Sequence, residues 1–433
     1  MPTMPNIPKI SLSRNQIIMI SGGLALIIIV FVLFRFFGGK ATTGVPVSLT
    51  VWGMDSPEAF EDIAAGYKAL RPNVTVNYIQ VPAVGYDDAV LKALASGKGP
   101  DVFVIGNHDA LSRINLLAPA PVAQVSLADI QSVFPQAVIQ DFVFDGDIYA
   151  LPLYMDTLAL IYNKQIFDQA GIALPPVTWQ DVLDLVPRLR ILDASGQITR
   201  AAIAIGGSEK SVTHATDILN LIMLQNGVTM ADDKGKPSFS GNTAGVTAFR
   251  FYLQFADAAS PAYTWNDLAG ESLESFASQK AVMALAYQRD LPELEKQSPF
   301  LDYGVAAAPQ ISADLAVNYP NYRGLAVWIG SKSSAWAWDF TIFASTNSSA
   351  QDSYLKATGK PAALRSLITP QQRDPDLTIF AGASLTARSW KMGDYDKIKT
   401  IFNNAIQNVQ TGAKTSNAAL KDAETQANQL IPK

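Results

Sequence analysis

Three carboxylates, Asp55, Asp109 and Asp156, set the first chemical question. A glycosidase needs two carboxyl groups roughly 5–9.5 Å apart. The same side chains also hold sugar hydroxyls with no reaction, because an ionised carboxylate accepts several hydrogen bonds. The rest of the reactive inventory is narrow. The chain has no cysteine, which excludes disulfide frameworks, thiolate zinc sites, thiol catalysis and cysteine-linked lipid anchors. Two histidines, His108 and His214, cannot build a multi-histidine metal site, so neither metal nor cofactor is expected. No Gly-x-x-x-x-Gly-Lys-[Ser/Thr] phosphate loop and no Gly-x-Ser-x-Gly nucleophile motif occurs. The net charge is -5 and no basic stripe is visible, so no nucleic-acid partner is expected.

The elements that must position these residues are legible from residue 47 onward. Val47–Gly53 reads as a strand, and Asp55-Ser56-Pro57-Glu58 as a helix start with Asp55 as a cap. Phe60, Ile63, Ala64, Tyr67 and Leu70 then share one helix face. Val74, Val76 and Tyr78 alternate as a second strand, Tyr86 to Ser96 forms a second helix, and Pro100 to Ile105 a third strand. Strand–helix–strand–helix–strand implies a parallel sheet with right-handed crossovers. Ligands bind at the carboxyl ends of such strands, which points to Trp52–Ser56 and Gly106–Asp109. Trp52 is equally readable as core packing. A second region repeats the pattern. Leu158, Leu160 and Tyr162 alternate, Asn163 opens a helix, and Thr178 begins a capped helix reaching about Arg190 despite Pro187. With 433 residues and 48% hydrophobic content, two or three domains with cores of their own are expected.

The N-terminus differs in kind. Residues 1–45 carry Lys9, Arg14, Arg35 and Lys40 and no acid, and nothing between Arg14 and Arg35 is charged. Asn15 to Phe34 spans about 20 residues, or roughly 30 Å as a helix, the thickness of a hydrocarbon core. A cleaved signal peptide is the competing reading. Its apolar run is shorter and ends at a small-x-small site, whereas this one ends in Arg35-Phe36-Phe37. Gly38 to Pro46 is a short flexible spacer.

A long ordered set of segments carries a family resemblance: Asp145 to Leu153, Asp156 to Lys164, Phe167, Ala170-Gly171-Ile172, Pro175-Pro176 and Thr178-Trp179. Gly99 to Val102, Phe276 to Met283, Arg323 to Val327, Ser331-Lys332-Ser333, Ala337 to Phe340, Thr411-Gly412 and Ala418 to Leu420 follow the same order. Together they resemble the extracellular solute-binding proteins of ABC importers, family 1, the carbohydrate-binding group that includes maltose-binding protein. The resemblance implies an α/β, two-lobe periplasmic-binding-protein-like (type II) fold with a hinge, here preceded by one N-terminal transmembrane helix. The implied organisation is a cytoplasmic tail over 1–14, an anchor over 15–37 and a linker over 38–45. Lobe 1 then covers 46–154 and 326–362, and lobe 2 covers 157–322 and 363–433.

The family's cleft positions, carried over one at a time, mark Asp55 in the loop after the first strand and Asn107, His108 and Asp109 after the third. Asp156 follows the first hinge crossing, and removing its carboxylate is expected to weaken ligand binding with the fold intact. Tyr287 and Arg289 fall where many relatives carry an Asn-Gly-Pro-Trp-like segment, and Tyr322 and Arg323 precede the return hinge. Trp265 and Trp390 fall in loops that often supply aromatics for sugar faces, a role Trp52 shares as a candidate. The stacking tryptophan is replaced at Tyr287-Gln288-Arg289-Asp290, so Arg289 and Arg323 leave an anionic or highly oxygenated ligand open beside a sugar. Each arginine reads alternatively as an ion pair, and each aromatic as packing. The resemblance implies a non-enzymatic receptor, monomeric, with its globular part extracellular or periplasmic on a single-pass anchor. It would hand a small solute, foremost a sugar or oligosaccharide, to ABC permease subunits. An anchored sensor or adhesion module without a permease, and a carbohydrate-active enzyme, are the alternatives.

Overall fold

The computed structural model describes residues 45–232 and 235–431. The expected tail, anchor and all but the end of the linker lie outside these. Among the described residues no helix is long and apolar enough to cross a membrane. The chain enters on strand β1 (Val47–Gly53), helix α1 (Pro57–Leu70), β2 (Val74–Gln80), α2 (Tyr86–Ala95) and β3 (Val102–Gly106). Helix α3 (Gln136–Phe142) and the short β4 (Ala150–Pro152) complete this part of the chain. Alternating burial of Leu49 and Val51 seats β1 on its core, while the unbroken apolar run of β3 is buried on both faces, as a central strand requires. Ser56, not Asp55, stands at the N-cap of α1, and its side chain makes no capping bond. Pro57 sets the first turn instead.

The second half opens with β5 (Ala159–Asn163), α4 (Trp179–Leu189), β6 (Ile191–Leu192), β7 (Ile198–Ile203) and α5 (Ala215–Gln225). Asn163 caps the helix after β5, and Thr178 forms the expected capping box at α4. Strands β8 (Ala281–Ala286) and β9 (Tyr303–Ala307) follow. The chain then returns on β10 (Arg323–Val327), α6 (Ser334–Thr346) and α7 (Ser348–Thr358), and ends with helices that include α8 (Tyr395–Gln410).

Two five-stranded sheets result, ordered β2-β1-β3-β10-β4 and β9-β5-β8-β7-β6. In the first, β1 runs parallel to β2 and β3, and β10 runs antiparallel between β3 and β4. Gly324 permits that insertion, because a Cβ there would stand 2.4 Å from the Leu151 carbonyl oxygen. Each sheet has its own core. Leu49, Phe103, Leu151 and Trp338 belong to the first, and Leu160, Trp179, Ile203, Phe249 and Met283 to the second. The first core also takes in Tyr322, Ala363, Leu364 and Ile368.

Segments 153–158 and 318–323 cross between the cores side by side. Leu158 N–H donates to the Tyr319 carbonyl, Asn321 N–H to that of Asp156, and Leu153 N–H to that of Arg323. A third strip joins them where Asn318 bridges Ala387. Such thin crossings absorb rotation between two packed bodies.

Candidate functional site

The carboxyl edge of the first sheet brings three neighbouring strands to the crossing. Trp52 is next to last in β1, His108 follows β3, and Arg323 opens β10 directly opposite Gly106. Tyr86 ties this edge together: its hydroxyl donates to the Trp52 carbonyl at 3.0 Å and accepts the Val104 N–H at 3.0 Å. Asn107 braces the return, donating to Asp141 at 3.0 Å while its side-chain oxygen accepts the Tyr322 N–H at 3.0 Å. Beside them Arg113 bonds Asp87 at 2.6 Å and lies 3.8 Å from Asp109. Burial raises Asp109 to about 6 against the pull of Arg113, and Asp396 from the second half adds a further upward push. Arg323 reaches Asp87 only at 4.0 Å.

The second half answers with a polar network around Asp217, which is fully buried near the start of α5. Its carboxylate accepts hydrogen bonds from Tyr395 and Tyr287, both at 2.8 Å, and from Asn321 at 3.2 Å. Burial and the Asp217 charge hold Tyr287, Tyr319 and Tyr395 well above the usual phenol range, so they remain protonated donors. Arg289 lies 4.1 Å over the Tyr287 ring and donates to the Asn321 carbonyl at 3.0 Å. His214 bonds Asp290 at 2.8 Å beneath the same turn. His108 spans the two halves, with its ring centroid 4.7 Å from that of Tyr395 and 5.4 Å from that of Tyr319. Burial drives its imidazole down to about 4, with Asp217 opposing and Arg289 assisting.

Across the crossing, His108 meets the rings of Tyr319 and Tyr395. Other expected residues have partners within the protein. Asp156 is 1% exposed and spends its carboxylate on the Thr157, Gln288 and Arg289 N–H groups at 2.9, 3.0 and 3.2 Å. It shapes the turn that carries Arg289, and burial raises it to about 6. Asp55 is held by Lys360 and by the Tyr354 hydroxyl. Trp265 lies in the second core and donates to Ser211 at 3.2 Å. Tyr322 packs edge-on against Phe142 in the first core, and Asn107 serves as a brace. Trp390 donates to Asn220 and lines a separate recess of about 310 Å³ with Gln140, Met230 and Lys391. The three carboxylates considered for catalysis therefore sit in three different sets of partners.

Sequence reasoning missed Asp217, Tyr319, Asn321 and Tyr395. One signal was available, because Asp217 and Asn220 stand one turn apart in the otherwise apolar run of α5. Two polar residues that share a buried helix stripe need partners, and here they find the crossing tyrosines. Among the described residues, no cluster of three or more His, Asp or Glu has the arrangement of a metal site.

Comparison with known proteins extends this geometry. The family described as bacterial extracellular solute-binding protein matches residues 53–351. The sn-glycerol-3-phosphate-binding periplasmic protein of Pectobacterium atrosepticum is 22% identical over 425 residues, covering 91% of this chain and 92% of that protein. The cyclic α-maltosyl-1,6-maltose binding protein from Arthrobacter globiformis superposes with a TM-score of 0.72 at 20% identity, covering 89% of this chain and 99% of that one. A cyclo/maltodextrin-binding protein complexed with maltotetraose gives a TM-score of 0.72 at 18% identity, covering 90% and 99%. The shared architecture is an α/β fold of two lobes.

Proposed function

The chain belongs to the bacterial extracellular solute-binding proteins, and we propose that it captures a sugar or oligosaccharide between its lobes and delivers it to the permease of an ABC importer. One observation carries the reading. The first-lobe edge holds buried polar atoms with no partner among the described residues, namely Trp52 Nε1, His108 Nε2 and Arg323 Nη1. A buried unmatched polar atom costs about 1–3 kcal/mol, so an oxygen-rich guest that reaches these atoms recovers that cost. Tyr395, partly exposed on the second lobe, adds an aromatic ring beside His108. Solved relatives of similar fold contain maltotetraose, mannobiose and tagatose, which favours a carbohydrate guest.

In this reading the lobes divide at segments 153–158 and 318–323, and the apolar stretch over 15–37 is a single-pass anchor with the lobes outside the cell. Closure couples capture to delivery, because the permease discriminates between the open and closed shapes. The tether raises the receptor's effective concentration at its permease. Calorimetric titration of the full chain in detergent with maltotriose, maltotetraose, mannobiose, D-tagatose and sn-glycerol 3-phosphate tests capture. At least one saturable ligand is expected, and none across a wide saccharide panel contradicts it. Sedimentation of the full chain with membranes tests the anchor, and an unprocessed soluble chain rejects it.

A further inference from the structure

The chain enters the first sheet at the edge opposite the candidate site, and that edge carries an unusual charge. Val45 is 81% exposed, and β1 runs from beside it toward Trp52. Helices α1 and α2 run back against their parallel strands, so their last turns lie at this same edge, near the starts of β2 and β3. Lys68 and Lys92 stand in those last turns, Lys98 in the loop before β3, and Lys332 in the turn after β10. That turn is tied to the edge, because Trp328 N–H donates to the Asp101 carbonyl and the Ser331 hydroxyl to the Asp101 carboxylate at 2.6 Å. All four lysines are exposed, and none is in an ion pair among the described residues. The carboxylates beside them are already engaged. Asp101 also accepts the Thr50 N–H at 2.9 Å, and Asp339 holds Arg71 at 2.9 Å and the Tyr67 hydroxyl at 2.8 Å.

A lysine at a helix C-terminus complements the helix dipole, which accounts for Lys68 and Lys92 taken singly. Lys332 has the opposite setting. It directly precedes Ser333, the N-cap of α6, where the dipole disfavours a cation. In the same turn Ile329 is 58% exposed. The rest of the globular part leans the other way: all 38 acidic residues follow residue 45, with only 29 of the 33 basic ones, and the far end of α2 carries Asp87 and Asp88. Residues 38–44 separate the apolar stretch over 15–37 from Val45, and fully extended they reach about 25 Å. Resting on the anchoring reading above, we propose that this edge of the first lobe sits on the bilayer that holds the anchor, with Lys68, Lys92, Lys98 and Lys332 on anionic lipid headgroups and Ile329 among them. The tether brings the edge near the surface, and the lysines then fix which way the lobe faces, since their attraction acts within a Debye length of about 8 Å. The candidate site, at the other end of a strand about 23 Å long, stays clear of the lipid.

The full chain reconstituted in lipid nanodiscs tests this, in phosphatidylcholine alone and with about one-third phosphatidylglycerol. Ala95→Cys at the end of α2 and Val84→Cys before its start are both exposed in a chain without native cysteine, and each in turn carries a fluorescent donor against an acceptor on the lipid headgroups. In the anionic discs the Ala95 donor should lie about 15 Å nearer the headgroup plane than the Val84 donor, the length of α2. Phosphatidylcholine alone should show little of that difference. Replacing the four lysines together by glutamine, or raising the salt to about 1 M, should remove most of it. The melting temperature of the glutamine variant should match the parent, because all four side chains are exposed. Equal distances for the two donors in anionic discs, or a difference that survives the four substitutions, overturns the proposal and leaves the anchor standing. The anchored chain should stay with lipid vesicles in the same salt, and its release defeats the anchor and this proposal together.

Discussion

Replacing Asp156 by alanine separates two accounts of that residue. If its carboxylate faces a ligand, the substitution weakens binding and spares the fold. The geometry assigns it instead to the Thr157, Gln288 and Arg289 N–H groups, at 2.9, 3.0 and 3.2 Å. Thr157 is fully buried, so its N–H finds no water in exchange. The two turn amides are partly open to solvent and lose less. Taking about 1 kcal/mol for each amide, the low end for an unmatched buried group, the loss is about 3 kcal/mol. The ion pair with Arg289 adds little, because that guanidinium is one-third exposed at 3.8 Å. Asp156→Asn keeps one oxygen for Thr157 and Gln288, and should lose about 1 kcal/mol. Urea unfolding of the full chain in detergent measures both values. Ligand affinity should fall less than stability, because Arg289 retains the Asn321 carbonyl and the Tyr287 ring. An Asp156→Ala protein within about 0.5 kcal/mol of the parent but with lost affinity would refute this account and restore the residue to the cleft.

Trp265→Ala should cost about 3–5 kcal/mol by emptying the second core, with affinity unchanged in the folded fraction, as unfolding and titration of one preparation can establish. Asp55→Ala strands the Tyr354 hydroxyl and the Lys360 ammonium, both largely shielded, and should cost about 1–3 kcal/mol by chemical denaturation, while Asp55→Asn retains part of this. Burial raises Asp141 to about 7 from an ordinary 3.8, so the folded state holds its proton more tightly than the unfolded chain. Stability from this group is fully present below 3.8, falls as pH rises from there, and is lost once pH passes about 7. Asp109 and Asp156 act in the same direction nearer 6, while neutral His108 opposes them only below its unfolded value of 6.5. The melting temperature should therefore rise from pH 8 to 6.5, and Asp141→Asn should flatten that rise. Equal slopes in the two proteins would count against it.

Local signals carried much of the fold. The capping boxes, the Asn163 cap and the apolar alternation of β1 and β5 are short-range patterns, and they appear at the expected positions. Failures arose where tertiary partners decide. Asp55 sits beside a helix start, and nothing nearby announces that Tyr354 and Lys360, about three hundred residues on, claim its carboxylate. Trp265 looks like a loop aromatic until the core closes over it. Asp156 was legible as important but not in kind, since the amides it holds come from residues 288 and 289. The placement of Trp52, His108 and Arg323 near strand ends was legible because strand ends in an α/β sheet are positioned by topology rather than by distant side chains.

Closure itself is open to a direct measurement. The chain has no native cysteine, so Val84→Cys before α2 and Lys397→Cys on α8 accept a pair of spin labels at exposed positions on opposite lobes. Pulsed electron paramagnetic resonance should give a broad distance distribution in the free protein that shortens and narrows once a saccharide saturates it. A bound saccharide with an unchanged distribution would contradict capture by movement of the lobes.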